Sequence, residues 1–182
     1  TLDDYPGIPL VVDPVMRAKG GAALLLDEAQ SALTELIVSR ASVLTPNVPE
    51  AEALTGLAIN DEASMQAAGE ALLSKGAKAV LMKGGHMEQD EMVDILVSAA
   101  GAQRFVNGPR LDTRHTHGTG CTLASSTAAA LAQGLSLSDA VKRAVAYVRQ
   151  AMQTAPGFGA GHGPLNHAWT VDSSKIAGLA DT

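Results

Sequence analysis

Cysteine occurs only once in this 182-residue chain, so no internal disulfide framework can form and a reducing compartment is expected. Aromatic residues make up 3% of the composition, too few for the stacking platforms that hold single-stranded nucleic acids. Basic residues are in deficit, 13 against 19 acidic ones for a net charge of −6, and no basic stripe is available to follow a phosphate backbone. No apolar run approaches the roughly 18 residues of a membrane helix, and nothing at the start resembles a basic segment followed by an apolar one. Nucleic acid and membrane are therefore not expected as partners. The expected setting is the cytoplasm, and the expected partner a small metabolite. Hydrophobic residues reach 46%, enough for a real core in one domain of ordinary size.

Short β-branched runs alternate with capped helical segments along the chain. Leu10-Val11-Val12 reads as a buried parallel strand ending in Asp13-Pro14. Asp27 with Gln30 reads as a capping box opening a helix to about Val38, and Val43-Leu44 as a second strand. Asn47-Val48-Pro49-Glu50 repeats the cap before a helix ended by Gly56, and a further helix is expected from Glu62 to Lys75 with Gly76 as its stop. Lys78 to Lys83 is the next strand, turned away by Gly84-Gly85-His86. Met92 to Val97 and Arg104 to Val106, separated by Gly101, read as an antiparallel edge hairpin. Helices are expected over Thr119 to Gln133 and Asp139 to Met152, then a glycine-rich loop and tail. This β-α alternation predicts an α/β fold, a mostly parallel sheet flanked by helices with an antiparallel edge.

The densest chemistry lies in His115-Thr116-His117-Gly118-Thr119-Gly120-Cys121. Two glycines around a threonine, opening a helix of small residues, aim several backbone N–H groups and the positive helix-dipole end at one spot, as an anion site requires. Cys121 closes that turn, where a thiol can serve as base or nucleophile. Ligands of open α/β sheets sit beyond the carboxyl ends of the strands, so Asp13, Asn47, Glu50, Lys83 and the Gly118 to Cys121 turn are expected to converge. A carboxylate, an amide and carboxylate pair, a lysine and an anion hole are the parts of phosphoryl transfer. Each part also has an ordinary reading. Asp-Pro is a common turn, Asn-x-x-Glu a common cap, Lys83 can be a solvated loop lysine, and a lone cysteine is often a core residue. His115 and His117 can be read as a metal pair, or as partners of Cys121 in a thiol hydrolase or acyltransferase.

Five stretches together carry a resemblance: VVDPVMRAKGGAALL from Val11, LTPNVPEAEALTG from Leu44, VLMKGGH from Val80, HTHGTGCTLASS from His115 and GHGPLNH from Gly161. With these the chain resembles the hydroxymethylpyrimidine/phosphomethylpyrimidine kinases of thiamine biosynthesis, members of the ribokinase superfamily. The resemblance implies a ribokinase-like fold and ATP-dependent phosphorylation of 4-amino-5-hydroxymethyl-2-methylpyrimidine and then of its monophosphate. It implies Gly118, Thr119, Gly120 and Cys121 as anion hole and base, with Cys121 where most of the superfamily carries aspartate. Asn47 and Glu50 match an N-x-x-E motif that holds Mg²⁺ largely through water, and Asp13 would lie near the metal and phosphates. Lys83 would reach the nucleotide phosphates, Val15 would face the pyrimidine, and adenine would sit beside the loop after the sheet edge and the final helices. A homodimer is implied as well. Family members begin with a D-x-S-G-G-A-G segment that carries much of the pyrimidine pocket. This sequence opens at Thr1 past that segment, so residues 1–182 are expected to form the C-terminal, nucleotide-binding portion of one ribokinase-like domain. The resemblance leaves two rivals, a pyridoxal or pyridoxine kinase and a noncatalytic nucleotide-binding fragment.

Overall fold

The computed structural model describes residues 4–16, 27–85, 87 and 91–171. Five strands form one sheet in the order β1 (Val11–Val12), β2 (Val43–Leu44), β3 (Ala79–Lys83), β4 (Glu91–Ser98) and β5 (Gly101–Pro109). The first three are parallel, and β4 and β5 return antiparallel at the far side. Their side chains alternate between two apolar layers, the period-2 consequence of a pleated backbone. Val12, Leu44, Val80, Met82, Ile95 and Val97 face one core, shared with Ala51 and Leu54 of α2 (Val48–Thr55) and Met65, Ala68 and Leu72 of α3 (Glu62–Ser74). Val43, Ala79, Leu81, Leu96 and Phe105 face the other, under Leu123 of α4 (Thr119–Ala132) and Val141 and Ala144 of α5 (Leu137–Gln153). Helices thus cover both faces, which is why β3 reads as an unbroken apolar run up to Lys83.

The helix boundaries follow the cap chemistry. Asn47 caps α2, Asp61 caps α3 and Ser136 caps α5, each accepting from the backbone N–H three residues on. The first helix, α1 (Asp27–Leu36), ends two residues before the expected Val38, and the chain tightens into a 3₁₀ turn over Val38–Arg40. The side chains of the Asp27 and Gln30 capping box lie outside the described residues, as do His86 and the tail from 172 onward. Gly101 was expected to separate the hairpin strands. It instead opens β5 opposite Ser98, and the turn falls on residues 99 and 100. The segment after α5 is a loop, as expected, until a 3₁₀ turn over His167–Thr170 brings Trp169 and His167 against Tyr147 of α5.

Candidate active site

The parallel strands deliver their carboxyl ends to one side of the sheet, and the expected polar residues meet there. Asp13 follows β1 directly. Its Oδ1 accepts from Lys83 Nζ at 2.8 Å and from Thr45 Oγ1 at 3.1 Å. Lys83 closes β3, where its N–H donates to Pro46 O at 2.9 Å and its backbone bridges Asn47 beyond the end of β2. Glu50 lies one turn into α2 with Oε2 4.0 Å from Lys83 Nζ. One lysine therefore sits between two acids, all three largely buried with side-chain exposures of 9–13%. The capping reading of Asn47 and Glu50 holds too: Asn47 Oδ1 accepts from Glu50 N at 2.9 Å while Glu50 Oε2 accepts from Asn47 N at 2.8 Å. One Glu50 oxygen thus both closes the cap and faces the lysine.

Gly118 enters α4 with φ 82° and ψ 8°, a left-handed conformation that glycine adopts without strain, and no side chain caps this helix. The first-turn N–H groups of α4 are thereby left to other acceptors. Gly120 brings that terminus onto the acid and lysine group. A β-carbon at position 120 would lie 3.2 Å from both Asp13 Oδ2 and Lys83 Nζ. Asp13, Glu50, Lys83 and the Gly118–Gly120 turn thus share one place, as expected. Cys121, the next residue, is exposed and looks onto a neighbouring groove of about 400 Å³ with Thr122, Ser125, Ser126, Ala129, Tyr147 and His167. Val15, 36% exposed, lies just past Asp13, whose carbonyl accepts the Val15 N–H at 2.9 Å.

Two carboxylates and one ammonium share this spot. Burial raises the Glu50 carboxyl above its ordinary range and the neighbouring Asp13 charge adds to this, while Lys83 and the Asn47 hydrogen bonds oppose it. Two interacting carboxylates with hard oxygen donors and one lysine fit an ion of the Mg²⁺ type, which takes one or two protein carboxylates and completes its shell with water and phosphate. Among the described residues no group of three or more His, Cys, Asp or Glu side chains is arranged to hold a metal. No hydrogen bond among the described residues joins Cys121 to His115 or His117, and His115 Nδ1 has no hydrogen-bond partner among them.

Two features here were not foreseen. Thr45, fully buried, orients Asp13 from just past the end of β2. The glycine-rich loop also straps down the approach to α4: Arg114 Nη2 donates to Gly159 O at 3.1 Å, and His117 N to Gly163 O at 3.2 Å. The His115 ring fills the space above Gly163, with Nδ1 buried and without a hydrogen-bond partner. A β-carbon at 163 would stand 2.1 Å from that nitrogen and 3.0 Å from Phe158 O. Gly163→Ala is accordingly expected to lower stability by about 1–3 kcal/mol, the usual cost of overpacking. A thermal melt checks this, and His115→Ala in the same chain should recover the part of the loss due to the ring, leaving the contact with Phe158 O.

The family model described as phosphomethylpyrimidine kinase matches residues 1–166. A hydroxymethylpyrimidine/phosphomethylpyrimidine kinase of Haemophilus influenzae is 48% identical over 169 residues, covering 91% of this chain and 63% of that protein. A thiamine biosynthesis bifunctional protein of Geobacter sulfurreducens is 49% identical over 174 residues, covering 96% of this chain and 35% of the relative. Among solved structures, the pyridoxal kinase of Staphylococcus aureus in complex with AMP-PCP superposes with a TM-score of 0.81 at 32% identity, covering 90% of this chain and 59% of the other. The chain thus spans less than two thirds of the length of these relatives. The match runs through each stretch that builds the site, from Asp13 through Lys83 to the α4 turn and the GHGP loop, and on that ground the chain belongs to the phosphomethylpyrimidine kinase family.

Proposed function

We propose that this chain is the nucleotide-binding and phosphoryl-transfer side of an ATP-dependent kinase that acts on 4-amino-5-hydroxymethyl-2-methylpyrimidine and then on its monophosphate, supplying thiamine synthesis. The observation that carries this reading is the junction of Lys83, Asp13 and Gly120 at an uncapped helix N-terminus. Phosphoryl transfer asks for positive charge and donors around the moving group, and little else from the protein. The Gly118–Cys121 N–H groups would donate to the γ-phosphoryl oxygens, Lys83 would neutralise charge beside them, and Asp13 with Glu50 would hold Mg²⁺. When bound, Mg²⁺ offsets the negative charge of the phosphates. Adenine occupies the cavity of about 290 Å³ between the loop after β5 (Leu111, Asp112, Thr113, His115) and the end of α5 (Met152, Gln153). Val15 faces the pyrimidine and Cys121 takes the proton of the attacking hydroxyl. The working protein is a cytoplasmic homodimer in this reading, and residues 1–182 are the C-terminal portion of its single domain.

Competing turnover tests the proposal: the protein is given ATP, Mg²⁺, the hydroxymethylpyrimidine and pyridoxal together, and both phosphorylated products are quantified. Preference for the pyrimidine supports the reading. The likeness to a pyridoxal kinase structure gives the second reading its ground, and preference for pyridoxal would establish it. Nucleotide binding without turnover of either would mark a noncatalytic nucleotide-binding piece.

The raised Glu50 carboxyl sets a pH dependence. A protonated carboxyl has no charge for a cation, so Mg²⁺-dependent nucleotide affinity should fall as pH drops through the Glu50 value, which lies above that of an ordinary glutamate. Titration calorimetry with Mg·ADP across mildly acidic pH measures it. Glu50→Gln, which still accepts from Asn47 N, should weaken binding at neutral pH and flatten the profile.

A further inference from the structure

Asp94 is a carboxylate only 6% exposed, in the middle of the sheet, with no part in the chemistry above. Burial pushes its carboxyl up, against the opposing pull of its hydrogen bonds and of Lys83. Its β4 neighbours Val93, Ile95 and Leu96 are buried hydrophobics, and a buried charge in such company is costly unless its hydrogen bonds accomplish something an apolar side chain cannot.

Its position says what they accomplish. Asp94 stands opposite Lys83 in the antiparallel register of β3 and β4. Its Oδ1 accepts from Gly84 N at 2.9 Å, the first N–H past the end of β3, and its Oδ2 accepts from Asn107 Nδ2 at 2.7 Å on β5. Gly84 rides so close on β4 that a β-carbon there would lie 2.0 Å from Val93 O. The main chain leaving Lys83 is therefore pinned from one side by a side-chain acceptor and from the other by direct backbone approach. On this footing, and resting on the phosphate-neutralising role proposed for Lys83, we infer that Asp94 is a positioning residue: its hydrogen bond to Gly84 N, braced by Asn107, fixes the end of β3 so that Lys83 reaches Asp13 and the α4 terminus. Asp94 acts through Lys83 and touches neither nucleotide nor metal.

Lysine acylation footprinting reads this directly and needs no nucleotide. The protein is treated with a limiting amine-acylating reagent, and labelling of Lys83 (side chain 13% exposed) is quantified by peptide mass spectrometry against Lys142 (58% exposed) as internal standard. Asp94→Ala, which removes the acceptor, is expected to raise the Lys83 to Lys142 ratio at least about tenfold. Asp94→Asn keeps an acceptor for Gly84 N, and Asn107 needs only to turn its amide to pair with it, so the ratio should stay within about threefold. In parallel, the Kd for ADP should rise about tenfold in Asp94→Ala and little in Asp94→Asn. A merely structural acid would lower the melting temperature and leave both readouts of the folded protein unchanged, and that result overturns the inference; so does an equal loss in Asp94→Asn. Should Asp94→Ala not fold, Asn107→Asp sets carboxylate against carboxylate and must raise the ratio, and adding Asp94→Asn to it must bring the ratio back; failure of either also overturns the inference. If the Lys83 ratio moves as expected while the unaltered chain binds no nucleotide, the fault lies with the proposed function and Asp94 still positions the lysine.

Discussion

Lys83→Met is expected to lower kcat/KM for ATP-dependent phosphorylation by roughly 10²- to 10³-fold, the range seen when one donor to a transition-state oxyanion is removed. The argument starts from charge. Asp13 and Glu50 share this ammonium at 2.8 and 4.0 Å, and the α4 terminus meets it at Gly120. Methionine keeps the length and apolar stem but leaves two acids facing the spot where, in the proposed reading, γ-phosphoryl charge develops, so attraction becomes repulsion. The same change strands Asp13 with Thr45 as its remaining hydrogen-bond donor, which should cost about 1–3 kcal/mol of stability. This is less than for a fully buried pair, because each partner keeps 12–13% exposure. Kinetics taken well below the melting point separate the two effects. Lys83→Arg should restore most of the stability and only part of the rate, since a planar fork does not fit a pocket shaped for a compact ammonium. Wild-type kinetics for Lys83→Met would return the residue to an ordinary ion-pair role.

How far this site is legible in the sequence depends on the range of the interaction. The cap at Asn47 and Glu50 closes over three residues and is written in the letters themselves. The α4 turn is equally local, because Gly118 sets its own backbone and leaves the next N–H groups open. The meeting of Asp13 with Lys83 spans 70 positions, yet topology brings it within reach: successive parallel strands end on the same side of a sheet, and an acid and a lysine close two of them. Thr45 to Asp13 and Asp94 to Gly84 are different. They depend on lateral register between neighbouring chain segments, and a threonine just past a strand or an aspartate inside one looks in sequence like any solvent-facing residue. Gly163 under His115 depends on where a long loop returns, which no local pattern encodes. Gly101 was misread for a related reason: a glycine between two strand patterns suggests the turn itself, but the hairpin places its tight residues one step earlier and uses the glycine's φ of 108° to start β5.

Cys121→Ala should reduce phosphorylation of the hydroxymethylpyrimidine by about 10²- to 10⁴-fold, the usual contribution of a positioned general base, while leaving ATP affinity nearly unchanged. Cys121 is the third residue of α4 and is exposed, and no hydrogen bond among the described residues ties its thiol to Asp13, Glu50 or Lys83. Nucleotide binding by Lys83 and the α4 backbone, as proposed, should therefore not depend on the thiol. A neutral hydroxyl must lose a proton as its oxygen attacks phosphorus, and in the proposed reading Cys121 takes it. The monophosphate differs, because its attacking oxygen is already anionic at neutral pH and needs little or no base. The second phosphorylation should accordingly lose far less than the first. Residual activity is expected in both steps, since the donors at Gly118 to Cys121 are main-chain groups that survive the substitution. Separate rates with the two substrates decide the matter. Equal losses would mean that the side chain at 121 acts by packing in its groove, and no loss in either step would make this cysteine chemically inert.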